Sequence, residues 1–185
     1  MPAISSSLAS HKAKSFLVIT EETIFKSAFS PDGRFLATGG SGQDTFGKYY
    51  TTLKLWDAKT LKLMKELSKF PEYNSPPRKI QFSPDSKSVA FWSNIGINVF
   101  DIQSLSEIKN YTEQTFGNYM TGFSWIDNNN FVILSKSITL CRLSDDWRKE
   151  IFQFPDWGYE IETDFINKKI ITRTGYYYLG GSLIS

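Results

Sequence analysis

Short apolar runs alternate with clusters of turn-forming residues along this chain, and no helix-period pattern of usable length appears. Phe16-Leu17-Val18-Ile19 is the first such run and predicts a short strand. The clearest stretch runs from Ala28 to Asp57 and predicts strand, tight turn, strand, long loop, strand. In its turn, Ser30-Pro31-Asp32-Gly33, proline fixes φ and cannot continue a ladder. Aspartate bonds its own backbone and glycine tolerates positive φ. In its last strand, Leu53-Lys54-Leu55-Trp56-Asp57, strict alternation sets one face in a core and the other toward a more polar neighbour.

Both features recur. Phe29-Ser30-Pro31-Asp32-Gly33 returns as Phe82-Ser83-Pro84-Asp85-Ser86, 53 residues on (29 to 82). A decayed copy, Phe123-Ser124-Trp125-Ile126-Asp127-Asn128, follows 41 later (82 to 123). A β-type run follows each copy: Phe35–Thr38, Ser88–Trp92 and Phe131–Leu134. The Leu-x-Leu-Trp-Asp strand is echoed by Ile97-Asn98-Val99-Phe100-Asp101 and Ile138-Thr139-Leu140-Cys141-Arg142. Fourth strands are expected at Leu61–Leu67, Glu107–Tyr111 and Glu150–Phe154. Helix propensity alone would allow a helix over Leu61–Leu67, but its place in the repeat assigns a strand. Glu160–Phe165, Lys169–Thr172 and Tyr176–Leu179 supply three strands of a fourth unit, and Ser182–Ser185 the start of another. Four strands in about 40–45 residues is the period of a propeller blade.

With the turn, the Trp-Asp strand and the period together, the chain resembles the WD-repeat β-propeller family. The resemblance implies an all-β fold, a partial (open or half) β-propeller of four-stranded antiparallel blades. The expected organisation is a mobile tail over residues 1–14 and propeller over 15–185, with blades at roughly 21–67, 78–111, 119–154 and 160–185. The family often buries a network of His, Asp, Ser or Thr, and Trp. Thr38 and Trp56 hold matching positions and Asp44 is a candidate for the carboxylate; otherwise it is solvated or differently paired. The single histidine, His11, lies too far from Phe29 to join them, and the Trp becomes Phe100 and then Cys141. Three to four units fall short of a closed ring, and neither end resembles a polar cap. We therefore read the chain as a fragment, a truncated product or one half of an assembly, completed by a second copy or by a companion chain.

Composition adds limits. At 185 residues, with 41% hydrophobic and 22% charged residues, the chain has a globular balance. A net charge of +2 does not call for a nucleic-acid partner. One cysteine, Cys141, leaves no internal disulfide framework and reads as a small buried hydrophobe. No signal-peptide h-region or bilayer-length apolar run is present, so a cytoplasmic protein with no membrane partner is expected.

No catalytic constellation, metal-ligand spacing or cofactor motif emerges, and the chain is expected not to be an enzyme. Gly42-Gln43-Asp44-Thr45-Phe46-Gly47-Lys48 has phosphate-loop spacing, but Tyr49 follows where Ser or Thr is needed, and a strand pattern follows instead of a helix. Glu21-Glu22 and Asp145-Asp146 are expected to be solvated, and Trp92, Trp125 and Trp147 to pack in cores or between blades. The feature that points to function is the loop Ser41–Thr51, about a dozen residues longer than the tight turn expected there. With the linkers Ser68–Lys79, Thr112–Asn118 and Pro155–Gly158 it offers aromatic and basic anchors: Phe46, Lys48, Tyr49, Tyr50, Tyr73, Arg78 and Trp157, beside Phe70 and Phe116. The expected function is a non-catalytic protein–protein interaction scaffold. The alternative is a subunit or fragment of a propeller-containing enzyme, of the kind that gates a hydrolase.

Overall fold

In the computed structural model the described residues are 22–71, 77–93, 96–112, 115, 120–145, 147–155, 158–164, 169–174 and 177–182. The tail over 1–14, the Phe16–Ile19 strand, Glu21, Asp146 and residues 183–185 lie outside them. The first sheet holds β1 (Thr23–Phe29), β2 (Phe35–Gln43), β3 (Tyr49–Asp57) and β4 (Leu63–Pro71). The second holds β5 (Lys79–Phe82), β6 (Ser88–Ser93), β7 (Gly96–Asp101) and β8 (Ser106–Tyr111). The third holds β9 (Gly122–Trp125), β10 (Asn130–Leu134), β11 (Ser137–Arg142) and β12 (Arg148–Gln153). In the fourth, β13 (Gly158–Asp164), β14 (Lys169–Thr174) and β15 (Tyr177–Ser182) are joined in order. Every sheet is an antiparallel meander in chain order.

Side-chain alternation explains the stacking. In β6, Val89 and Phe91 enter the core shared with the first sheet, whereas Ala90 and Trp92 enter the core shared with the third. In β10, Phe131 and Ile133 face the second sheet, and Val132 and Leu134 face Ile161 and Ile170 of the fourth. A period of 2 thus divides one strand between two cores. For the echo Ile97–Asp101 this corrects the expectation of a more polar second face, whereas in the Trp-Asp strand Lys54 does face the carboxylates Glu22 and Glu66. Ile97, Asn98, Val99 and Phe100 are all buried, because the second sheet is sandwiched. Asn98 is satisfied there by the Glu107 carboxylate, to which its amide donates at 3.2 Å.

The first strands β1, β5, β9 and β13 lie side by side at the inner edges of the sheets. Lys79 of β5 reaches past β9 to Glu162 of β13 at 2.7 Å, and also donates to the Ile161 carbonyl at 3.3 Å. Between these strands is a cleft of about 850 Å³, lined by Phe25, Arg78, Lys79, Trp92, Phe123 and Glu162 among others.

Two kinds of turn repeat. At the β1–β2 turn the Ser30 hydroxyl donates to Asp32 at 2.7 Å and accepts from the Phe35 N–H at 2.9 Å, and Gly33 takes φ +72°. The Ser83 and Asp85 side chains repeat this, with Ser86 at φ 62° in place of glycine. Ser86 also accepts the Asp32 N–H at 3.1 Å, tying the two turns together. The second kind follows the Trp-Asp strand and its echo. Asp57 accepts from the N–H and hydroxyl of Thr60 (2.6 and 2.7 Å), and Asp101 does the same with Ser104 (2.7 and 2.8 Å). Leu61 and Leu105 then turn at φ 56° and 53°. The aspartate of the Trp-Asp pair is therefore a cap for the next hairpin.

These capping carboxylates are held in their charged form. Donation by the Ser30 hydroxyl, then by the Arg34 N–H, lowers Asp32 from 3.8 to about 2. The Thr60 hydroxyl and N–H lower Asp57, and the Ser104 N–H and hydroxyl lower Asp101. A carboxyl depressed on folding stabilises the fold above its unfolded value, and that contribution is lost as pH falls. The denaturation midpoint is therefore expected to drop between about pH 4 and about pH 2, with the drop smaller in the D32N/D57N/D101N variant. Equal acid sensitivity in both proteins would show that these caps play no part.

Candidate interaction surface

The long connection after β2 is mostly strand. β2 and β3 stay paired from Phe35–Asp57 out to Gln43–Tyr49, and only residues 44–48 form the turn. The expected loop Ser41–Thr51 is thus corrected: its ends continue the ladder, because their backbone groups find partners in register. β4 runs on as well, to a pair between Tyr50 and Pro71. This moves the fourth strand from the expected Leu61–Leu67 to Leu63–Pro71 and takes Ser68–Pro71 out of the expected linker, whose far end, Lys79, opens β5. The result is a three-stranded flap, with nine-residue strands where β7 and β8 have six.

Its tip is fixed from within. The Asp44 carboxylate accepts from the N–H groups of Phe46 (2.8 Å) and Lys48 (2.9 Å), while the Asp44 N–H donates to the Lys48 carbonyl at 2.9 Å. Gly47, at φ +76°, completes the turn by donating to the Asp44 carbonyl. Asp44 is therefore differently paired and does not join the Trp56–Thr38 bond, which stands by itself at 2.8 Å. Phe46 is left 87% exposed and Tyr49 47% exposed. Tyr50 folds back over Gly42, where a Cβ would collide with the phenol, and carries the Lys69 ammonium 4.0 Å from its ring centre. With strand on both sides of the turn, the phosphate-loop spacing of Gly42–Lys48 has no helix N-terminus behind it.

The base of the flap is anchored by charge. Lys54 meets Glu22 at 2.8 Å, and the Thr52 hydroxyl donates to the other Glu22 oxygen at 2.8 Å. Both residues are half-buried, with side chains 13% (Lys54) and 6% (Glu22) exposed. Glu22 is thus not solvated as expected, because β1 begins alongside β3's lysine. Asp145 behaves as expected, exposed and paired with Arg142 at 3.2 Å. Trp92 and Trp125 are in the core, but Trp147 is exposed beneath the Arg142 guanidinium, 4.8 Å from its ring centre, which corrects the packing role expected of it.

Of the anchors read from the sequence, Phe46, Lys48, Tyr49 and Tyr50 come together on the flap. Arg78 lies elsewhere, at the cleft, 5.6 Å from the Trp92 ring centre. Tyr73, Trp157 and Phe116 lie outside the described residues. Sequence reasoning missed Lys69 and the Glu22–Lys54 pair. The pattern Asp-x-x-Ser/Thr-Leu, at 57 and again at 101, is a visible signal for the hairpin caps. Cys141 is fully buried, and burial pushes its thiol up to about 12, against a small opposing pull from Arg148. No thiolate is available there for chemistry at neutral pH.

Neither a protein-family model nor a curated protein sequence matches the chain. Among solved structures it is similar to the β-propeller domain of Myceliophteria thermophila Cps50 (Swd1), at 8% identity and a TM-score of 0.64. The match covers 84% of this chain and 51% of that one, so the chain spans about half the length of the propeller it resembles. Its fold is that of a partial β-propeller, as the repeats predict.

Proposed function

We propose that the chain is a non-catalytic protein-interaction module of the WD-repeat kind, working in the cytoplasm, with the flap tip as its contact. One observation carries this reading. Phe46 is held out in solvent on a turn whose polar groups are satisfied internally, with Tyr49 beside it. An apolar ring carried on a fixed backbone spares the cost of ordering the loop on docking, which suits an interface anchor. Lys48 and Tyr50 complete the flap contact. Arg78, Tyr73 and Trp157 belong to the proposal as secondary contacts. A photo-crosslinking phenylalanine analogue at position 46 tests it in cells. A discrete protein adduct is expected there, absent when the analogue replaces exposed Lys87 of the second sheet. The F46A/Y49A variant should keep its denaturation midpoint within about 0.5 kcal/mol while losing that partner. Equal labelling from both positions would sink the reading.

The open ring forms the second part of the proposal. A chain spanning half of a propeller, with three described strands in its last sheet, leaves sheet faces that further sheets would cover. These would come from a second copy or from a companion chain. Light-scattering chromatography is expected to give a mass above that of one chain, and a monomer that unfolds cooperatively would count against it.

A further inference from the structure

Charge is unevenly divided over the first sheet. Lys48, Lys59, Lys62, Lys65 and Lys69 are exposed along the flap and the outer strand β4. Three carboxylates stand among these five lysines, Asp44 at the flap tip, Asp57 at the turn before β4 and Glu66 on β4, and leave an excess of positive charge, while Glu22 is paired with Lys54. Glu66 alone faces outward from β4, and its carboxylate lies 4.0 Å from the Lys54 ammonium. Among the described residues, no carboxylate forms an ion pair with Lys62, Lys65 or Lys69. Of the outer strands of the next two sheets, β8 is balanced by Glu107 and Lys109, and β12 sets Arg148 and Lys149 against Glu150, with Arg148 donating to the Thr115 carbonyl at 2.7 Å.

The backbone of β4 indicates how a partner would be held. Register slips opposite Leu53/Lys54 and Leu55/Trp56 bulge the strand twice. A bulged, lysine-rich edge does not template another strand. Contact therefore falls to side chains, which alternate to both sides of this rim and include exposed Leu63 and Met64. We infer that the flap and the β4 rim bind an acidic segment of a partner protein, its carboxylates on Lys62, Lys65 and Lys69 and its apolar residues on Phe46, Tyr49, Leu63 and Met64. This rests on the interaction-module reading and adds the partner's chemistry.

The test uses the full chain and a fluorescein-labelled synthetic peptide in which glutamates alternate with leucine and phenylalanine. Fluorescence anisotropy should show binding that weakens roughly tenfold between about 50 and about 300 mM NaCl, as screening predicts. K65E/K69E should weaken it by about tenfold or more, whereas K87E, an exposed lysine of the second sheet, should leave it unchanged. Equal binding of the same peptide with glutamine for glutamate would overturn the inference. So would tighter binding of a single-stranded oligouridylate, which would make the occupant a nucleic acid. The adduct formed from position 46 separates the two readings: if it survives K65E/K69E undiminished, the module stands and the acidic segment falls.

Discussion

Replacing Trp125 by alanine is expected to cost about 3–5 kcal/mol, near the upper limit for a single core truncation. Three links depend on this side chain and its backbone. The ring is completely buried and meets the edge of Phe131 at 5.5 Å, and Phe131 in turn meets Tyr111 of the second sheet at 5.2 Å. The indole N–H donates to the Gln81 carbonyl of β5 at 3.2 Å, and the Trp125 N–H donates to the Gln81 side chain at 3.3 Å. On the other side the Thr163 hydroxyl of β13 donates to the Trp125 carbonyl. Because each sheet buries its faces only against its neighbours, a hole between the second and third sheets weakens coupling along the whole array. The urea transition of W125A should therefore shift to lower denaturant and broaden. W125F keeps most of the buried area but loses the N–H bond, so a cost of about 1–2 kcal/mol is expected. A shift below about 1 kcal/mol for W125A would mean that this core is not formed in solution.

The strand pattern was legible because local chemistry and the repeat agree. Ser30-Pro31-Asp32-Gly33 makes the turn that those residues favour, and the period assigned a strand to Leu61–Leu67 against its helix propensity, where the structure has one at Leu63–Pro71. What escaped notice depends on partners remote in sequence. Nothing local in Leu53-Lys54-Leu55 shows that Lys54 is half-buried in an ion pair, since its carboxylate lies 32 residues back. Asn98 likewise looks like a solvent-facing position until a sheet on either side closes over β7. The glycines of Ser41–Thr51 suggest an irregular loop. Gly42 instead makes room for Tyr50 within a regular ladder, a relation that appears only with the cross-strand pair Gly42–Tyr50. The anchors Phe46 and Tyr49 were legible as residue types, but the fixed backbone of the turn that carries Phe46 comes from the Asp44 cap.

Lys54→Met is expected to be the most costly change at the base of the flap, by about 3–5 kcal/mol, although methionine fills most of the same space. The loss of packing is small, so the cost comes from the partner left behind. Glu22, 6% exposed, would keep the Thr52 hydroxyl as a donor but lose the ammonium 2.8 Å away, and a carboxylate buried without its cation is strongly disfavoured. E22Q/K54M removes both charges together, and its stability should lie within about 1–2 kcal/mol of the parent, since the attraction within a buried pair little more than offsets its desolvation. The double-mutant cycle should thus return a coupling energy of at least about 2 kcal/mol. The location matters as much as the magnitude. Thr52 and Lys54 lie on β3 where the flap leaves the sheet, and Glu22 ties them to the start of β1. Hydrogen exchange in residues 41–52 should therefore accelerate more in K54M than exchange in β6 or β10, while in the double variant both should return toward parental rates. Uniform acceleration across all three sheets would show that the pair supports the fold as a whole and does not specifically hold the flap that presents Phe46.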